Sequence, residues 1–143
     1  PSTPRPSPRN CRPRTVRRVD ISPRLAPGSP VINAYGGGGF RIAGERHEGS
    51  QIVFADRVVP WPVDAIDAAA EQALLAALDD AQGVELLLIG CGTGARMLSG
   101  DLRAALSARG IGVDGMDTGA ACRTFNVLLQ EGRQAAAALI AVG

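Results

Sequence analysis

Three features of the sequence predict a layered α/β domain. A glycine-stopped apolar run lies at its centre, helical stripes alternate with apolar runs around it, and short glycine-punctuated runs precede it. The central run is Val84 to Gly94, VELLLIGCGTG. An apolar segment of this length closed by glycine reads as a buried strand followed by a tight turn. With the segments around it, the carboxyl-terminal two thirds read helix, strand, helix, strand, helix, strand. Such alternation builds a sheet with helices packed on it.

The 143 residues suit one domain, and 45% apolar composition suffices for a core. Aromatic residues, at 3%, are too few for a platform that stacks single-stranded nucleic acid. No segment approaches the ~20 uninterrupted apolar residues of a membrane helix, and no apolar signal-peptide core stands near the start. The net charge of +1 hides an asymmetry. Residues 1–19 hold six arginines and no acid, whereas residues 20–143 hold nine arginines against all fourteen acids. The three cysteines, Cys11, Cys91 and Cys122, contain no CxxC pair and lie too far apart for ordinary zinc-ligand spacing. Reduced thiols in a reducing compartment are expected.

Taken in order, the chain opens with eight of its ten prolines in the first thirty residues. Proline removes backbone donors and restricts the residue before it, so residues 1–20 are expected as a disordered Arg/Pro-rich tail and residues 21–143 as a single domain. Binding of an anionic partner by the tail is the alternative. Ile32 to Tyr35 reads as a short strand, Phe40 to Ile42 as a second, Ser50 to Phe54 as a third, and Val58-Val59 with Trp61 as a fourth. Glycine turns between them suggest antiparallel hairpins. Gly44 to Gly49, carrying Glu45, Arg46, His47 and Glu48, reads as a polar turn in which His47 is a solvated loop residue.

Asp64 to Gln82 reads as the clearest helix. Ile66, Ala70, Ala73, Leu74, Ala77, Leu78 and Ala81 form one apolar stripe, Asp64 is a candidate cap, and Gly83 a stop. Leu102, Ala105 and Leu106 mark a shorter helix closed by Gly110, and Ile111 to Met116 a strand. Asp117 or Thr118 caps a third helix that buries Ala121, Phe125, Leu128 and Leu129 and stops at Gly132. Ala135 to Val142 reads as the last strand.

Ligands of open α/β sheets bind beyond the carboxyl ends of the strands. That places a candidate pocket over Gly90, Cys91, Gly92, Thr93 and Gly94. The turn after Met116 should open on the same edge and add Asp117, Thr118, Cys122, Arg123 and Asn126. Backbone N–H groups at the start of the third helix would then face an anion. A bridge from Arg123 to Asp117 is the structural alternative to a ligand role for Arg123. Cys122 near a helix start is a candidate thiolate, with a packed, inert thiol as the alternative. No metal site and no catalytic constellation emerges.

One reading of the loop is enzymatic. LLLIGCGTG, a helix and then VDGMD resemble the opening of S-adenosylmethionine-dependent methyltransferases, in which an acid such as Asp114 or Asp117 holds the ribose. Leu88 stands where those enzymes carry an acid, and only 26 residues follow Asp117 to finish their sheet. The dinucleotide spacing GxGxxG fails because Ala95 occupies its last glycine position.

A second resemblance rests on INAYGGGGFRI, GSQIVF, Trp61, LLLIGCGTG and above all MDTGAACRTFNVLLQEGR. Across Val31 to Val142 the chain resembles a family of small α/β proteins. That family includes the mitochondrial complex I assembly factor 3 and the adipogenesis-associated Mth938-domain-containing protein. The resemblance implies three layers: a central, mostly parallel mixed sheet flanked by helices, with an antiparallel β-hairpin layer from the early strands. It implies no established reaction and no cofactor, and it leans away from an enzyme toward a binding or assembly-factor-like protein. A protein partner is expected, without nucleic acid or membrane insertion. The compartment implied is the bacterial cytoplasm, or the mitochondrion for a eukaryotic source. The alternative is an enzyme that binds S-adenosylmethionine or a nucleotide at the glycine loop.

Overall fold

The computed structural model describes residues 29–81, 83–94 and 98–143. The Arg/Pro-rich tail expected over residues 1–20 lies outside them. Three short strands come first: β1 (Ile32–Gly36), β2 (Gly39–Ile42) and β3 (Glu45–Glu48), antiparallel in the order β1-β2-β3. The expected polar turn at Gly44 to Gly49 is therefore a strand. Gly44 and Gly49, at φ +83° and +78°, make the turns at its two ends. Charged residues suit this strand because it is a sheet edge exposed to solvent, where charge also blocks pairing with another chain.

The remaining strands form a second sheet. They are β4 (Gln51–Val53), β5 (Val58–Pro60), β6 (Leu86–Gly90), β7 (Gly112–Met116) and β8 (Ala135–Leu139), in the order β5-β4-β8-β6-β7. β6 runs parallel to both β7 and β8, while β4 is antiparallel to β5 and β8. The hairpin of β4 and β5 thus joins the central sheet and not the early layer.

Helix α1 (Ala68–Asp80) begins four residues later than its sequence stripe suggests. Asp67 and not Asp64 accepts the N–H of Ala70, and the helix ends at Ala81. Pro62 and the bends that follow it carry the chain to that cap, so only the inner part of the stripe is helical. Ala70, Leu74 and Leu78 are its buried positions, while Ala73 is exposed. Helix α2 (Gly100–Ala108) is capped by Ser99, and α3 (Thr118–Gln130) by Asp117.

Alternation along the central strands divides the core in two. Leu87 and Ile89 of β6, Ala136 and Ala138 of β8, and Ile52 of β4 face Leu74, Leu78, Leu102 and Leu106 of α1 and α2. Leu88, Ala137, Leu139 and Val53 face Phe125 and Leu129 of α3 and Phe40 and Ile42 of the small sheet. Both faces being covered explains why β6 and β8 read as unbroken apolar runs. The small side chains of β8 let the layers approach closely. From β6 the chain passes through α2 to β7 on one side, then through α3 to β8 on the other. The carboxyl end of β6 is accordingly the switch point of the sheet, where doubly wound folds hold ligands.

Candidate functional site

At that switch point the backbone is laced across. Cys91 N–H donates to Met116 O at 2.7 Å, and Ile140 N–H to Gly90 O at 3.0 Å. Thr118, fully buried at the start of α3, completes the network. Its Oγ1 accepts from Gly92 N–H at 3.0 Å and donates to Ile140 O at 2.8 Å, while its N–H donates to Gly92 O at 2.8 Å. Gly92 adopts φ +93°, which suits glycine, and so turns both of its backbone polar groups onto Thr118. Gly90 is needed for closeness. A Cβ there would lie 2.9 Å from Thr118 Cα and 3.1 Å from Leu139 Cδ2.

Several donors that a phosphate or cofactor would call on, the N–H groups of Cys91, Gly92, Thr118 and Ala120, are therefore engaged inside the protein. Cys91 and Gly92 N–H serve neighbouring carbonyl and hydroxyl groups, and Ala120 N–H serves the Asp117 carboxylate at 2.8 Å. Thr93 and Gly94 lie exposed at the outer rim of the loop. Beside the loop is a hollow of about 300 Å³, bounded by Cys91, Gly92 and Thr93, by Asp64 and Ile66, and by the carboxyl-terminal segment from Ile140.

The other candidates do not share that hollow. Cys122, Arg123 and Asn126 line a separate groove of about 460 Å³ between β1 and α3, with Asn33, Ala34 and Tyr35 opposite. Asn126 bonds the β1 backbone with both ends of its amide. Its Oδ1 accepts from Ile32 N–H and its Nδ2 donates to Ile32 O, each at 2.9 Å. Arg123 is exposed, and among the described residues the ion pairs are Arg46–Glu48, Arg57–Asp56 and Arg109–Asp79. The alternative bridge from Arg123 to Asp117 is not among them, and the Asp117 carboxylate caps α3. The Cys122 thiol, 3% exposed, is pushed up to about 12. Burial is the main cause, opposed by the Arg123 cation and reinforced by Asp117. A helix start does not make it a thiolate here.

The family described as a protein of unknown function (DUF498/DUF598) matches residues 32–140. The chain belongs to the DUF498/DUF598 family. An uncharacterised protein of Rhodobacter capsulatus is 41% identical over 113 residues, covering 79% of this DUF498/DUF598 chain and 86% of that protein. The mouse NADH dehydrogenase [ubiquinone] 1 alpha subcomplex assembly factor 3 is 32% identical over 123 residues, covering 86% of this chain. The chain spans 66% of the length of that assembly factor. Among solved structures, a Bartonella henselae protein described as an outer membrane protein has a TM-score of 0.71 and 40% identity, over 82% of this chain and 98% of that one. A Bordetella pertussis protein described as an Mth938-like domain has a TM-score of 0.70 and 28% identity, over 82% and 89%. The DUF498/DUF598 membership and the Mth938-like fold thus agree with the resemblance read from the sequence.

Sequence reasoning missed that Tyr35 borders the same groove as Arg123 in this DUF498/DUF598 chain. The reason is a bulge. Ile32 pairs with Ile42 and Tyr35 with Phe40, while the register slips between Ile32 and Ala34. Opposed residues of an antiparallel pair share a face, so Ile32 and Tyr35 both lie on the α3 side. Without the extra residue, a separation of three would place them on opposite faces. Asn33 holds the bulge by accepting the Gly44 N–H at 2.8 Å. A signal was present in Gly119, an unfavourable residue in the first turn of a helix. A Cβ there would strike the Tyr35 hydroxyl and ring and lie 3.3 Å from Arg123 Nη1.

Proposed function

We propose that this protein is a non-enzymatic, assembly-factor-like protein that works by binding a protein partner during assembly of a respiratory complex. The observation that carries this reading is the engagement of the loop donors at the switch point. Internal bonds hold the N–H groups of Cys91, Gly92, Thr118 and Ala120, which a cofactor-using relative of this fold would turn toward its ligand. The names of the mammalian relatives supply the partner class. The partner would be met in the cytoplasm of a bacterium, or in the mitochondrion if the source is eukaryotic.

In-cell crosslinking of the tagged chain in its source organism tests the reading. Recovery of NADH dehydrogenase subunits or their assembly intermediates is the expected result. Failure to enrich any of them, together with micromolar binding of S-adenosylmethionine or a nucleotide by calorimetry, would replace it with the enzymatic alternative. Gly94→Val is the informative variant for that alternative, since a Cβ at Gly94 meets nothing within 4 Å among the described residues and needs no strained dihedral. Gly92→Val strains the loop whether or not a ligand binds.

A further inference from the structure

We infer that the groove between β1 and α3 is a docking surface for an extended, carboxylate-bearing segment of a partner protein, with Arg123 as its anchor. The inference rests on the partner-binding reading above and assigns it a place. Three observations converge on this groove. β1 is the edge strand of its sheet, and Asn33, Ala34 and Tyr35 along it are exposed. At its start the Asn126 amide meets Ile32 N–H and C=O as a neighbouring strand would, which leaves the edge from Asn33 onward for an extended segment. Among the described residues the exposed large hydrophobic side chains are Tyr35, 45% exposed, and Val127, 53% exposed. Tyr35 borders the groove, and Val127 stands one helical turn beyond Arg123 on α3.

Charge selects the occupant. Arg123 is exposed without an ion pair among the described residues, and no residue lining the groove is acidic. Its guanidinium and the Tyr35 hydroxyl converge over Gly119, where the missing side chain leaves room for both. Two donors side by side suit a carboxylate, and a planar guanidinium binds one through paired hydrogen bonds. Residues 1–19 of this chain, with six arginines and no acid, lack the carboxylate that Arg123 selects. A second copy seated groove to groove would offer Arg123 no acid, because none lines the groove among the described residues. A nucleic acid requires several cations along its backbone, and the described residues lining the groove supply one.

The test is selection of a random octapeptide library displayed on phage against the full chain and against Arg123→Gln. Sequences enriched in Asp and Glu are expected from the wild type, with that enrichment lost on the variant. The best selected peptide should bind Arg123→Gln at least about tenfold more weakly by fluorescence polarisation. Arg123→Lys should recover part of the loss. Its amide shift changes should fall on Ala34, Tyr35 and Asn126, and unfolding midpoints of wild type and Arg123→Gln should coincide. Selection of nothing above background, selection without acidic enrichment, or equal binding to Arg123→Gln would overturn the inference. If crosslinking recovers respiratory subunits and Arg123→Gln recovers them equally, the groove assignment fails while the partner-binding reading stands. Recovery of none by either protein fails the reading itself.

Discussion

Helix α3 meets the rest of the molecule in two places that treat polar groups in opposite ways. At its start, Thr118 is buried, and its N–H and hydroxyl are engaged with Gly92 and Ile140. One to two turns later, Arg123 stands in solvent beside Tyr35 with no ion pair among the described residues. The first place bears the glycines that attract attention in the sequence, and the second bears none of the usual motif. The contrast separates two uses of glycine. Gly90 and Gly92 allow the backbone to close on itself, whereas Gly119 makes room for side chains that remain available to something outside.

Substitutions at the closed end should cost most. Gly90→Val drives two methyl groups into Thr118 and Leu139, and overpacking of this kind is expected to cost about 3 kcal/mol or more by denaturant titration. A variant as stable as the wild type would show that the contact is not tight. Thr118→Val keeps the shape but strands Gly92 N–H and Ile140 C=O. A loss of ~1–3 kcal/mol is expected, with Thr118→Ser losing less, and equal losses for the two would deny the hydroxyl its role. Asn126→Leu should cost about 1 kcal/mol, because Ile32 is then left half-solvated at the sheet edge. It should also sharpen the comparison by weakening peptide selection without touching the loop.

The smallest effect concerns Cys122. Its thiol ionises near 12 in the folded protein against 9.0 ordinarily, so the unfolded chain releases this proton first as pH rises. The stability linked to this thiol is complete below pH 9 and is lost as pH climbs toward 12. Iodoacetamide at pH 8 should accordingly label Cys122 only at the rate of unfolding. Rapid labelling of the native protein would mean the thiol is neither buried nor protonated.

Much of the fold was legible because burial on both sides of a sheet leaves a strong trace. The runs at Leu86–Gly90 and Ala135–Leu139 and the stripe of α3 are long apolar patterns with clear stops. The early strands were harder, since β3 is written in charged residues that suit an exposed edge as well as a turn. The start of α1 was misplaced because Asp64 and Asp67 are equally good caps by composition, and only tertiary packing chooses between them. The site was the least legible part. Gly90, Gly92 and Thr118 are neighbours as expected, but whether their donors face a ligand or each other depends on dihedrals that residue types do not encode. That Tyr35 reaches the groove of Arg123 depends on a single bulge at Asn33. Eighty-eight positions separate the two residues in the chain.

Amide hydrogen exchange and shift mapping on the ¹⁵N-labelled chain, with S-adenosylmethionine and ATP added in turn, address the closed loop most directly. Gly92 and Thr118 amides should exchange only on global unfolding and should keep their shifts at millimolar ligand. Fast exchange at both amides, with saturable shifts at Gly92 and Gly94 in the micromolar range, would mean that the loop opens to a cofactor.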